Sequence, residues 1–152
     1  MDNISEHITY QEAVHNNHGF ANKPDEPTLI RMRYLAKTVF EPVRLFINMA
    51  IFVSSFYRCL ILNKHIKGAY GSQHTKGEAM DLQCAGNNAK IFFYILQHLD
   101  FDQLIWEFGD YKEPAWVHVS KIQGVNRKQA LRSIIEKNEK GEDVTKYIPF
   151  IV

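Results

Sequence analysis

Several protein classes are excluded by what this 152-residue chain has little of. It has two cysteines, Cys59 and Cys84, far apart and outside any Cys-x-x-Cys pair. A zinc-ribbon framework is therefore excluded, and two reduced, buried thiols are expected rather than a disulfide. Charge of one sign is also missing: 18 Lys and Arg against 17 Asp and Glu leave +1. No overall field draws such a molecule to nucleic acid or to an acidic membrane, and neither is expected as a partner. The basic stretch from Asn126-Arg127-Lys128 to Arg132 reads as a solvated helix face. The longest apolar run, Phe46 to Val53, is broken by Asn48 and is too short to span a bilayer. Met1 to His7 has no basic region followed by an apolar run, so no secretory signal is expected and the chain is expected in the cytoplasm on synthesis.

A hydrophobic fraction of 45% with 23% charged residues is that of an ordinary globular domain. One domain is expected over 1–152, with residues 1–26 a polar segment punctuated by Asn16-Asn17-His18-Gly19 and Lys23-Pro24-Asp25-Glu26-Pro27. From Thr28 to Phe40, Leu29, Met32, Leu35, Ala36, Val39 and Phe40 recur at the spacing of one helix face. Pro42 should kink or end that helix, although Val43, Phe46 and Ile47 keep the period. Ile51 to Phe56 and Ala79 to Gln83 read as strands, with a short helix at Leu60 to Lys64 and a glycine-bearing loop at Gly68 to Gly71 between them. Asn87 or Asn88 can cap a helix reaching Leu99. Phe101 to Phe108 and Ala115 to Ile122 then form an antiparallel hairpin. Asn126 is expected to cap a last helix to about Asn138, stopped by Gly141. The fold class that follows is α+β: a small, mainly antiparallel sheet with helices packed around it.

Seven histidines are present. His7, His15 and His18 lie in the polar segment, and His65 and His98 near helix ends, where an imidazolium suits the helix dipole; all five read as structural. His74 differs, because a loop of glycine and small polar residues presents it just before the strand that carries Asp81. An acid between Met80 and Leu82 requires a cation, a metal or several donors, since burying it unpaired is costly. Pairing with a lysine or with backbone amides is the plainer alternative. His118 lies mid-strand in Trp116-Val117-His118-Val119-Ser120. Two imidazoles and one carboxylate are a common ligand set for catalytic zinc, leaving a fourth position for water. A His-Glu-x-x-His helix is absent, which excludes the commonest metalloprotease arrangement.

Ser72-x-His74-x-x-Gly77-x-Ala79-x-Asp81, together with Trp116-Val117-His118-Val119-Ser120, resembles the zinc D-Ala-D-Ala carboxypeptidase family. That family includes VanX-type dipeptidases and phage endolysins, and shares a superfamily with lysostaphin-type peptidases and the hedgehog signalling domain. Ser54-Ser55-Phe56-Tyr57-Arg58, Leu62-Asn63-Lys64 and Phe101-Asp102-Gln103-Leu104-Ile105-Trp106-Glu107 extend the resemblance from residue 28 to about 135. It implies one catalytic zinc ion held by His74, Asp81 and His118. It also implies that Arg58 faces the substrate or the developing oxyanion, and that Ser72 lines the cleft.

Many family members carry an acid three residues before the last histidine, where this chain has Ala115. Glu107 is the first candidate for the base. If Ile105 pairs opposite His118, Glu107 shares the histidine's face as a diagonal neighbour roughly 7–8 Å away. A slip of one residue would instead turn Trp106 inward. Glu113 is the second candidate. The implied activity is hydrolysis of peptidoglycan stem peptides by a monomer, as a carboxypeptidase or an endopeptidase. A phage or prophage lysin released to the wall through a holin is the first expectation, and a cytosolic dipeptidase the second. The competing reading is a zinc-binding module of the same fold without peptidase activity.

Overall fold

Short strands whose side chains alternate between a core and a cleft organise the molecule, whose computed structural model describes residues 2–151. Among the described residues the strands are β1 (Phe52–Ser55), β2 (Ala79–Gln83), β3 (Gln103–Glu107), β4 (Trp116–Ser120), β5 (Gln129–Lys137) and β6 (Asp143–Pro149). They form one sheet in the order β1-β2-β4-β3-β5-β6. Every neighbouring pair is antiparallel except β3 and β5, which run parallel. The expected α+β class with a mainly antiparallel sheet is thus the one observed.

Met80, Leu82, Val117, Val119, Leu104 and Trp106 project from the central strands to one face and are almost completely buried. They share a core with Met32, Leu35, Val39 and Phe40 from the early helices, and with Ile91, Phe92 and Ile95 of a later one. Each such side chain taken out of water contributes roughly 1.5–3 kcal/mol. The opposite face of the same strands borders a cleft.

Short helices frame the sheet: α1 (Tyr10–Val14), α2 (Glu26–Leu35), α3 (Glu41–Ile47), α4 (Leu60–His65) and α5 (Asn88–His98). Asp25 caps α2 by accepting from Thr28 N–H, and Pro27 sits in its first turn. Pro42 neither ends nor sharply breaks the helical path. A wide π turn over Ala36–Phe40 precedes it, closed by Glu41 N–H on the Ala36 carbonyl. The extra residue absorbs the missing donor and the bulk of the ring, and α3 continues. Asn87 occupies the cap position of α5 without a side-chain cap bond. The first amides are met from elsewhere: Glu113 accepts from Asn88 N–H at 2.7 Å and Ala89 N–H at 3.2 Å.

Two expectations are corrected. Residues 1–26 are not simply polar loop, because Ile4, Ile8 and Ala13 enter the core. Buried Asn22 ties the segment down, donating to the carbonyls of Val14 and Tyr57 and accepting from Cys59 N–H. The expected last helix is a hairpin, β5–β6, and Asn126 caps no helix. Its side chain instead accepts from Ile122 N–H at 2.9 Å and organises the preceding loop. Gln129–Lys137 has passable helix formers, but the open edge of β3 offers a row of backbone partners, and tertiary pairing overrides weak propensity. Gly141, at φ 76°, stands in the β5–β6 turn, where Asn138 Oδ1 accepts from the amides of Lys140 and Glu142. Both cysteines are free, Cys84 buried and Cys59 half-buried.

Candidate metal centre and its cleft

Strand register brings the candidate residues to the open face. Asp81 of β2 is paired with His118 of β4, which is paired with Ile105 of β3. Glu107 lies two residues beyond Ile105 and therefore faces the same way. The slipped register that would turn Trp106 toward the site does not occur: Trp106 is buried in the core.

His74 arrives on a single 3-10 turn, Gln73–Lys76, capped by Ser72 Oγ at 3.4 Å from His74 N–H. Gly77 ends the turn at φ 71°, a left-handed conformation costly for other residues. A Cβ there would also come within 2.7 Å of Met32 Cγ and 2.8 Å of Thr28 Cγ2, so the turn sits hard against α2. On its other side, Gln73 donates to Asp102 Oδ2 at 3.0 Å. Asp102 also accepts from Arg127 Nη2 at 2.7 Å and from Arg127 N–H at 3.0 Å. The Arg127 hydrogen bonds hold the Asp102 carboxyl below the usual carboxylate range, outweighing the opposing effect of burial.

His74, Asp81 and His118 each offer one ligand atom, all within 4.8 Å of one another. His74 Nδ1 lies 2.7 Å from the Phe56 carbonyl, which can only accept, so that nitrogen carries the ring proton. His74 Nε2 of the neutral ring then presents a lone pair. It is buried without a hydrogen-bond partner among the described residues, 3.4 Å from Asp81 Oδ1. His118 Nδ1 approaches the same oxygen at 2.9 Å. Tetrahedral ligands at zinc–ligand distances near 2.0–2.1 Å stand about 3.3 Å apart, so these separations suit a zinc-sized ion. A lone pair facing a carboxylate in a buried site is what a cation would reconcile, and the donor set fits the metal.

Burial pushes the His74 imidazole below its ordinary pKa. Burial also opposes a charge on Asp81, but positive charge on the imidazoles, where they are protonated, and the hydrogen bond from His118 outweigh it, and the carboxyl lies well below the usual range. Arg58 Nη2 adds positive charge 3.7 Å from Asp81 Oδ2. Its guanidinium is held by donating to Ser55 Oγ at 3.0 Å and to Asn63 Oδ1 at 3.3 Å. Desolvation lowers the Arg58 pKa, with Asp81 opposing, from a value so high that the group stays cationic. Glu107 is buried, and desolvation raises its carboxyl pKa although a hydrogen bond from Ser133 works the other way.

These groups border a cleft of about 990 Å³, whose walls include Arg58, Ser72, Glu107, Trp116 and Tyr147. Glu113 is not among them; it is spent capping α5. Glu6, His7 and Glu41 gather elsewhere on the surface, where His7 Nδ1 and Glu41 Oε2 are hydrogen-bonded at 2.7 Å. Sequence reasoning missed the residues that hold the site: Asp102 and Arg127, which fasten the His74 turn, and Ser133 beside Glu107. Asp102 carried a usable signal, an acid buried between Phe101 and Gln103 at a strand entry. Ser133 carried none once its segment was read as helix.

A donor set of two imidazoles and one carboxylate beside an open cleft is one that single-metal hydrolases use. The comparison with known families is narrower: the family described as Peptidase M15 matches residues 6–120, and the chain belongs to it. It is thereby a metallopeptidase of a metal-dependent family that typically uses zinc. No curated protein matches the chain. The match starts well before residue 28 and stops at Ser120, leaving β5 and β6 outside it. Among the described residues no helix is long and apolar enough to cross a membrane.

Proposed function

We propose that the chain hydrolyses peptidoglycan stem peptides at a bond involving a D-amino acid, acting as a phage or prophage lysin that reaches the wall through a holin. In this reading His74, Asp81 and His118 hold one zinc ion, Glu107 is the general base, and Arg58 and Ser72 bind substrate. The observation that supports it most is the buried, unpartnered Nε2 of His74 directed at Asp81 in the cleft floor. When bound, zinc supplies Lewis acidity and brings the pKa of water toward ~7.

Glu107 takes a proton from the attacking water and returns it to the leaving amine, a task that a raised carboxyl pKa serves. Ala115 cannot do this, and the carboxylate two residues beyond the histidine's strand partner stands in its place. Arg58 steadies the negative end of the peptide or the tetrahedral oxyanion, its fork already oriented by Ser55 and Asn63. The test is mass spectrometry of purified peptidoglycan fragments after incubation, with and without chelator. Loss of a terminal D-Ala would establish a carboxypeptidase, and products split within the stem an endopeptidase. Cleavage that survives chelation would overturn the metal mechanism. Bound zinc with no turnover, in wild type and Glu107→Ala alike, would establish a binding module.

A further inference from the structure

The β5–β6 hairpin lies beyond the matched region, yet its inner face continues the cleft: Gln129, Leu131 and Tyr147 line it. Ser133 is the single buried residue of β5, although its side chain is small and polar. The parallel register sets it directly beside Glu107. Ser133 Oγ donates to Glu107 Oε2 at 2.5 Å and accepts from Phe108 N–H at 3.0 Å. The Phe108 amide occupies a lone pair of the hydroxyl and orients it, so the Ser133 proton points at the carboxylate. Glu107 Oε2 is thereby tethered, while Oε1 accepts no hydrogen bond among the described residues and the side chain borders the cleft.

We infer that Ser133 is a positioning residue: its hydroxyl pins one oxygen of Glu107 and leaves the other free to handle the proton. This rests on the reading of Glu107 as the base. A glutamate has three side-chain torsions, and small errors in aiming a reacting group cost large factors in rate. The Ser133 bond removes that freedom from the side the cleft does not constrain. The hairpin is then a working part of the active site and not an appendage to it.

The test uses the whole chain and two kinds of measurement. In zinc-loaded protein acting on purified muropeptides, Ser133→Ala should lower kcat about tenfold or more with KM within about twofold. Ser133→Thr keeps the hydroxyl and suits a strand, and should restore kcat to within about threefold of wild type. Zinc affinity, measured by competition titration, should be the same in all three proteins. The bond itself is read without turnover, by thermal unfolding of the metal-free chain in a cycle of Ser133→Ala, Glu107→Ala and the double variant. The losses should be clearly non-additive.

Additive losses would overturn the contact. Coupling with an unchanged kcat, or a Thr variant as slow as the Ala variant, would overturn the positioning role. A wild-type protein that turns over no muropeptide, while the cycle still shows coupling, would instead overturn the peptidoglycan reading beneath it.

Discussion

Met80 and Asp81 are adjacent in one strand and live in different solvents. Met80 is buried in an apolar core with Leu82, Val117, Val119 and Leu104 and with residues of α2 and α5. Asp81 faces a cleft in which every neighbour of consequence carries charge or a lone pair. The same alternation runs through β4, Val117 against His118, and through β3, Trp106 against Glu107. One face is stabilised by removal of apolar surface from water. The other holds His74 and Glu107, whose charged forms burial disfavours, around an Asp81 whose charge its neighbours offset. The lesson is that stability and chemistry share strands here without sharing side chains, and substitutions should separate them.

The largest expected effect is on the cleft face. Asp81→Asn keeps shape but removes the charge between two imidazoles, and should weaken zinc binding by more than about 100-fold and abolish hydrolysis. The metal-free chain should lose some stability, since the neighbours of Asp81 favour its charge, but less than a core variant loses. Competition titration and calorimetry check both halves, and a melting loss as large as that of a core variant would break the division of labour. On the core face, Leu82→Ala should cost about 2–5 kcal/mol in denaturant unfolding. Its zinc affinity, measured where the protein is folded, should be unchanged.

The smallest effect belongs to the clamp that joins the two regimes. The Asp102 carboxyl is lowered by Arg127, so its contribution is present above the unfolded value of about 3.9 and is lost as pH falls through the lower folded value. Asp102→Asn should therefore flatten the acid side of the melting-temperature profile. It should also weaken zinc binding slightly by loosening the His74 turn. An unchanged acid slope would show that the clamp carries no such load.

Much of this division was legible beforehand. Strand β2 could be read from Ala79 to Gln83, and an acid between Met80 and Leu82 announced its conflict with a buried surface. Treating the two runs as a hairpin left two registers open, and the structure has the one that pairs Ile105 with His118. Three things were not legible, each for a physical reason. Ile4, Ile8 and Ala13 lie in a segment too polar on average to advertise three anchors. The capping role of Glu113, the second candidate for the base, was hidden because the amides it caps belong to a helix 24 and 25 residues away in sequence. The β5 segment shows no apolar alternation at all, since its one buried residue is a serine. Its strand identity comes from the vacant edge of β3, which a local reading cannot see.

The parallel pairing of β3 with β5 has a consequence for how the molecule is assembled in time. An antiparallel neighbour can form as soon as a tight turn has been made, but β5 must wait for β4 and the loop that follows it. His74, Asp81 and His118 are brought together by β2, β4 and the turn before β2, without the strand that carries Ser133. The contact between Ser133 and Glu107, by contrast, forms only once the chain has crossed back to lay β5 beside β3, a pairing of higher sequence separation and slower closure.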